Sequence, residues 1–205
     1  MSDRILIPYD FLDEELQCIK NNFATHTDWT KDVFSNIKKN IMVYLRFQQS
    51  NVCCYCKYPL GFDIKQVDIE HIIPKSEYEK FTFESRNLAL SCPGCNTKKS
   101  TNPVLHGSIK NYPKNGNNFT IIHAHYDEYS DHIDIINNCV FVAKTKKGSY
   151  TILLCELFRL KIAEQKAKAF QTTSSSTLQE LVDDLSNPDM EGKDKLFNLL
   201  KDAIR

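Results

Sequence analysis

The chain has 205 residues, enough for one domain with a substantial core or a compact domain with an appendage. Hydrophobic residues make up 41% and charged residues 25%, as in ordinary globular proteins, and no apolar run is long enough for a transmembrane helix. The net charge is zero whereas duplex binders are usually basic, so a nucleic-acid role must rest on how charge is distributed. Five basic residues and no acidic one lie between Arg86 and Lys114, while five acidic residues and no basic one lie between Gln171 and Gly192. The first residues, Met1 to Ile5, lack the apolar core of a signal peptide, which gives the expectation of a cytoplasmic protein with no membrane partner.

Residues 1–9 read as an extended lead-in. Asp10 is placed to cap a first helix to about Asn22, with Leu12, Leu16, Ile19 and Phe23 on one face. Asp28 is placed to cap a longer helix to about Gln49, with a buried stripe of Trp29, Val33, Ile37, Ile41, Tyr44 and Leu45. These elements make residues 1–50 an N-terminal helical segment. Tyr58 to Gly61 reads as a turn, Val67 to Ile73 as a strand halted by Pro74, and Cys95 to Ser100 as the start of a helix after a Pro93-Gly94 turn. Phe119 to His123 and Val140 to Ala143 read as strands, with Asn137-Asn138 turning into the second. A helix is expected from about Tyr150 to Phe170, with Leu153, Leu157, Leu160 and Ala167 on one side. A Thr/Ser linker over 171–177, a capped helix to about Leu185 and a last helix from about Lys193 to Ile204 follow. The divisions are then 1–50, 51–102, a mixed extension at 103–170 and an acidic C-terminal segment at 171–205.

Of the eight cysteines, four form two Cys-x-x-Cys knuckles, Cys53/Cys56 and Cys92/Cys95, with thirty-five residues between them. In a reducing compartment paired knuckles bind metal more often than they form disulfides. The spacing lets two thiolates from one tight turn reach a single tetrahedral ion, and four thiolates leave no site for a reactive water. A structural Zn²⁺ that clamps the two ends of the intervening segment is the expectation. Cys54, inside the first knuckle, is the alternative to Cys53. His123, His125 and His132 fall within ten residues but lack a zinc spacing, so groove lining or structural hydrogen bonding is expected of them.

Between the knuckles stand Glu70-His71-Ile72-Ile73-Pro74 and, sixteen residues after His71, Asn87-Leu88; Asn96 and Lys99 follow the second knuckle as Cys-x-x-Cys-Asn-x-x-Lys. This combination, over about residues 53–100, resembles the HNH endonuclease family. The resemblance implies an α+β protein, mostly helical, around a ββα-metal core with a four-cysteine structural zinc. It implies His71 as the general base, Asn87 as the residue orienting that base, and Asn96 with Glu70 as ligands of one catalytic divalent ion. Glu in place of the usual Asp lengthens the ligand, and Asn in place of the final His makes the site all oxygen, which favours Mg²⁺ or Mn²⁺. Lys98, Lys99 and Arg86 are candidate nucleic-acid contacts. The implied activity is hydrolysis of DNA, with RNA as the other substrate because the motif acts on the backbone. Beyond residue 100, the run from Phe119 to Gly148 is similar to HNH proteins encoded beside ATPases in anti-phage systems of the Septu or retron kind. An ATPase partner docked on the helical flanks and the acidic tail is then implied. The competing reading is a non-catalytic zinc-knuckle module for nucleic acid or protein, against which the set Glu70, His71 and Asn96 argues.

Overall fold

A computed structural model of the chain describes residues 3–159, apart from the side chain of Ile64. The expected linker, the helices after 171 and the end of the helix beyond 159 lie outside the described residues. Residues up to Arg159 form one compact unit.

The first helix, α1, spans Asp13–Asn22, starting later than a cap at Asp10 would set it. The Glu15 carboxylate reaches back to the Leu12 backbone N–H at 3.1 Å, filling one of the donors a helix start leaves open. The same carboxylate accepts the Tyr9 hydroxyl at 2.9 Å and the Asn40 amide at 2.9 Å. Glu15 is buried, while Leu12 and Leu16 are exposed, so the expected leucine stripe is not the packed face. A carboxylate tolerates burial when its acceptors are filled in this way, a condition that apolar periodicity does not register.

The second helix is also shorter than its pattern predicts. Two 3₁₀ turns, His26–Thr30 and Asp32–Phe34, precede α2 at Ser35–Gln48. Asp28 accepts the backbone N–H groups of Ala24 and Thr25, closing a turn instead of capping a helix. Phe34, Ile37, Ile41 and Leu45 form the buried stripe of this segment, Val33 is exposed, and Trp29 stands half-buried in the first turn.

Strands β1, Asp68–His71, and β2, Leu88–Ser91, pair antiparallel with Asp68 opposite Ser91 and His71 opposite Leu88. Helix α3, Pro93–Lys99, follows with only Cys92 between. Pro93 opens this helix where a preceding turn is expected, since its missing N–H would be unpaired at that position anyway. The order β-β-α, with α2 packed on β2, gives the α+β architecture with an HNH-type centre.

The expected strand at Phe119 to His123 is instead irregular backbone, with one bridge from Leu105 to Phe119. Phe119, Ile121, Ile122 and His123 are all buried, so the segment runs through the core without a sheet partner along its length. Next come β3, Ile133–Ile136, and β4, Val140–Ala143, an antiparallel hairpin turned by Asn137 and Asn138. Both asparagines take left-handed backbone angles, φ 49° and 56°, which this residue type tolerates. Helix α4, Lys146–Leu154, begins earlier than expected because the Thr145 hydroxyl accepts the Gly148 N–H at 3.1 Å. None of the helices among the described residues is long and apolar enough to cross a membrane.

Gly148 fixes how α4 meets the hairpin. A Cβ at this position would lie 2.0 Å from the His132 carbonyl oxygen, a backbone atom that cannot move aside on its own. Gly148→Ala should lower the unfolding free energy by about 1–3 kcal/mol, the usual range for overpacking, read as a lower urea midpoint. An unchanged midpoint would show that the contact is easily relieved.

Candidate catalytic and metal-binding site

The sulfur atoms of Cys53, Cys56, Cys92 and Cys95 all lie within 4.8 Å of one another. The Cys56–Cys92 separation is 3.8 Å, matching the edge of a tetrahedron with ion–sulfur bonds of about 2.3 Å. No disulfide joins these cysteines. In the first knuckle, the Cys53 N–H donates to the Tyr58 carbonyl at 2.9 Å and the Lys57 N–H returns to the Cys53 carbonyl at 3.0 Å. Pro59, expected in a turn, bridges to Val52 and closes this loop. In the second knuckle the Cys92 sulfur accepts the Cys95 N–H at 3.4 Å. Burial opposes ionisation of Cys53, but hydrogen bonds from the neighbouring thiols outweigh it and hold Cys53 well below the ordinary thiol range. Contact with Cys53, Cys56 and Cys92 pushes Cys95 far up. One thiolate therefore raises the cost of the next, a conflict that a bound dication relieves. Cys54 stands outside the quartet, with its N–H on the Leu90 carbonyl at 2.9 Å, which settles the choice between Cys53 and Cys54.

His71 ends β1, and its ring is buried. Its Nε2 lies 3.1 Å from the Thr82 carbonyl. A carbonyl only accepts, so Nε2 carries the proton and the neutral ring keeps a bare lone pair on Nδ1. Burial first, then the charge of Lys75, hold the His71 pKa down to about 3. The Trp29 ring stands edge-on to His71 with centroids 4.6 Å apart. Trp29 reads in the sequence as part of a packing stripe; it is instead a wall of this site, brought in from the N-terminal segment.

Asn87 is fully buried and touches backbone only on the His71 side. Its Oδ1 accepts the Ile73 N–H at 2.7 Å, and its Nδ2 donates to the Ile73 and Phe81 carbonyls, both at 3.0 Å. Its own carbonyl accepts the Ile72 N–H at 2.9 Å. These bonds staple both ends of the loop that runs from His71 to Thr82.

Glu70 and Asn96, expected to share one ion, have different partners in the structure. Glu70 is 1% exposed, and its Oε1 lies 2.7 Å from the Lys99 ammonium and 3.1 Å from the Tyr55 hydroxyl. Asn96 donates its amide to Asp68 Oδ2 at 2.9 Å. Glu70 Oε2 is buried without a hydrogen-bond partner, so one of its oxygens keeps an open valence. Burial raises the Glu70 pKa, and Lys99 acts against that. Asp68 escapes the sequence reading, although its position two residues before Glu70 puts both carboxylates on one side of β1. Asp68, Asn96 and the open oxygen of Glu70 are hard oxygen donors of the kind that suit Mg²⁺ or Mn²⁺.

Lys99 is corrected. It is 1% exposed, bound to Glu70 and to the His71 carbonyl at 3.0 Å, so its amine is not available to a phosphate. Helical spacing alone gives no sign that its side chain turns inward. Lys98 is exposed and paired with Glu156 at 2.8 Å, and Arg86 is exposed. Lys75, which the motif leaves out, is the cation whose field acts most on His71, ahead of Lys99.

His123, His125 and His132 bond to protein partners. Tyr112 lies 2.9 Å from His123, the Leu88 carbonyl 2.9 Å from His125 and Thr145 2.7 Å from His132. Among the described residues the cysteine quartet is the one such close group of three or more His, Cys, Asp or Glu.

Residues 53–102 match the HNH endonuclease family. Among curated proteins, Septu protein PtuB of Bacillus thuringiensis is 30% identical over 150 residues, which cover 73% of this chain and 53% of that protein. The chain thus spans about half the length of that relative. Residues 53–102 of this protein are an HNH endonuclease-family domain, with its four cysteines gathered in one cluster.

Proposed function

We propose that this protein is a metal-dependent endonuclease that hydrolyses DNA phosphodiester bonds, acting in the cytoplasm in anti-phage defence beside an ATPase partner. The observation that carries the chemistry is the His71 ring. Its proton is committed to the Thr82 carbonyl, and its Nδ1 is left bare on a buried ring that packs against Trp29. Such a nitrogen can take a proton from an attacking water, and a pKa held well below 7 keeps it in the base form. Asn87 orients that ring by fixing the loop that carries Thr82. Asn96, Glu70 and Asp68 would hold the divalent ion, Mg²⁺ or Mn²⁺, which supplies charge stabilisation to the phosphoryl oxygens and the departing alkoxide. The cysteine quartet would hold Zn²⁺ as a structural clamp. Arg86 and Lys98, at the surface, would contact neighbouring phosphates. The defence role and the ATPase partner rest on the likeness to a Septu protein and on the acidic stretch near the C-terminus.

Purified protein is incubated with plasmid, single-stranded DNA and RNA in Mg²⁺ or Mn²⁺, beside His71→Ala. Cleavage by the folded variant should fall at least about a hundredfold, the lower end of general-base contributions; equal cutting would sink the assignment. RNA cut in preference to DNA would reassign the substrate.

Cys95→Ser should lose bound zinc and nuclease activity together, because Asn96 is joined to Cys95 by one peptide bond. Full activity with zinc lost would reject that coupling.

The pH dependence of stability has a definite sign. The folded His71 pKa of about 3 lies below the unfolded value of about 6.5, so the unfolded chain binds the proton first. The stabilisation from the neutral ring is complete above about 6.5 and is lost as pH falls toward 3. Burial depresses His123 and His125 as well, so they add to the same slope. Urea midpoints should therefore drop between pH 7 and pH 4, less steeply in His71→Ala; a flat profile would show that these rings are solvated.

A further inference from the structure

We propose that Tyr112 and His123, both outside the HNH segment, are positioning residues that brace Asn87 and, through it, the loop holding His71. The inference rests on the reading of His71 as the base, and its geometry is independent of any metal. His123 is completely buried. Its Nδ1 accepts the His125 backbone N–H at 3.1 Å, so Nδ1 is bare and Nε2 carries the proton. Nε2–H then donates to the Tyr112 hydroxyl at 2.9 Å. Having accepted there, the hydroxyl shares its one proton between the Arg86 carbonyl at 3.0 Å and Asn87 Oδ1 at 3.2 Å. Donation runs one way, from His125 through His123 and Tyr112 to the asparagine that staples Ile73 and Phe81. The Tyr112 ring also packs edge-on against Phe81, with centroids 5.1 Å apart.

A second grip lies one residue further on, where His125 Nε2–H donates to the Leu88 carbonyl at 2.9 Å. Arg86, Asn87 and Leu88 are thus each held from the extension after residue 102. The holder is itself fixed. Asp127 accepts the His123 backbone N–H at 2.8 Å, and Lys147 holds Asp127 at 2.9 Å. The rings of Phe119 and Tyr126 flank His123 at 4.3 and 4.2 Å. A histidine serving only to fill the core needs its own polar atoms satisfied. This one passes its bond on to the residue that sets the His71 loop.

Tyr112→Phe deletes one oxygen and keeps the ring. It leaves the His123 N–H without its acceptor and removes one of the two donors to Asn87 Oδ1. Amide hydrogen exchange of the full chain reads the consequence at Ile72 and Ile73, whose N–H groups bond to Asn87. Exchange there should rise at least about tenfold while Ile41 and Leu45 in α2 stay within about twofold, the pattern of local and not global opening. With DNA and Mg²⁺, kcat should fall about tenfold with KM nearly unchanged, as misplacement of a reacting group predicts. His123→Gln, which keeps an amide donor, should retain more of both properties; if Tyr112→Phe does not fold, His123→Met, which removes the donor at similar volume, takes its place with the same expected losses. Unchanged exchange at Ile72 and Ile73, a uniform rise across the chain, or unchanged kcat overturns the proposal. His71→Ala in the same assay separates the two ideas: wild-type cutting by that variant would sink the general-base reading, while the exchange data still decide whether the brace exists.

Discussion

The contact on which the site depends is the buried ion pair between Lys99 and Glu70. One ammonium, 1% exposed, meets the Glu70 carboxylate at 2.7 Å and the His71 carbonyl at 3.0 Å. It ties the last turn of α3 to the last residues of β1. Two charges removed from water need near-complete compensation, and loss of one partner from such a pair costs about 3–5 kcal/mol. The compensation here is uneven. Lys99 satisfies Oε1 together with Tyr55, while Oε2 has no partner. A buried carboxylate left half satisfied is a poor stabilising device and a suitable ligand. That tension is the physical reason to read Glu70 as functional, even with Lys99 beside it.

Tyr55 carries the same contact back to the metal clamp. It lies between the cysteines of the first knuckle, donates its hydroxyl to Glu70 and accepts the Tyr129 hydroxyl on its carbonyl at 2.8 Å. The second knuckle reaches the site by a different route, through Asn96 and its bond to Asp68. Both halves of the quartet therefore end on β1, one at Glu70 and one at Asp68. Closing the four sulfurs around an ion would fix the distance between the two carboxylates' neighbours without any zinc chemistry reaching the substrate.

How far this was legible in the sequence depends on the kind of signal. The knuckles announce themselves by spacing, because ligand geometry imposes a fixed interval, whereas His71, Asn87 and Asn96 are legible only through the combined pattern that resembles a known family. Asp68 was just as visible two residues before Glu70, but the family pattern draws attention to the acid next to the histidine. Lys99 reads as a solvated helix residue because nothing in its spacing says that its side chain turns under β1. Trp29, Tyr112 and His123 could not be assigned from the motif, since each reaches the site from elsewhere in the chain and does so through tertiary packing. The helix starts failed for a related reason. Glu15 holds α1 through a filled buried carboxylate, and Asp28 spends its oxygens on a turn, so the apolar period mislocates both.

The same packing changes what a net charge of zero means at the surface. Formal charge counts Lys99 and Glu70 equally with residues in solvent, although both are withdrawn from the surface and cancel each other. Lys98 is offset by Glu156, and Lys147 by Asp127. What an approaching anion meets is the remainder. Lys75 belongs to it, adding to the burial that depresses the His71 pKa, and Arg86 stays exposed on the segment that Tyr112 holds. Burial comes first in keeping the ring neutral, and the field of Lys75, which adds to it, also favours an anion nearby. One charge can then act both on the protonation state of the ring and on an anion beside it.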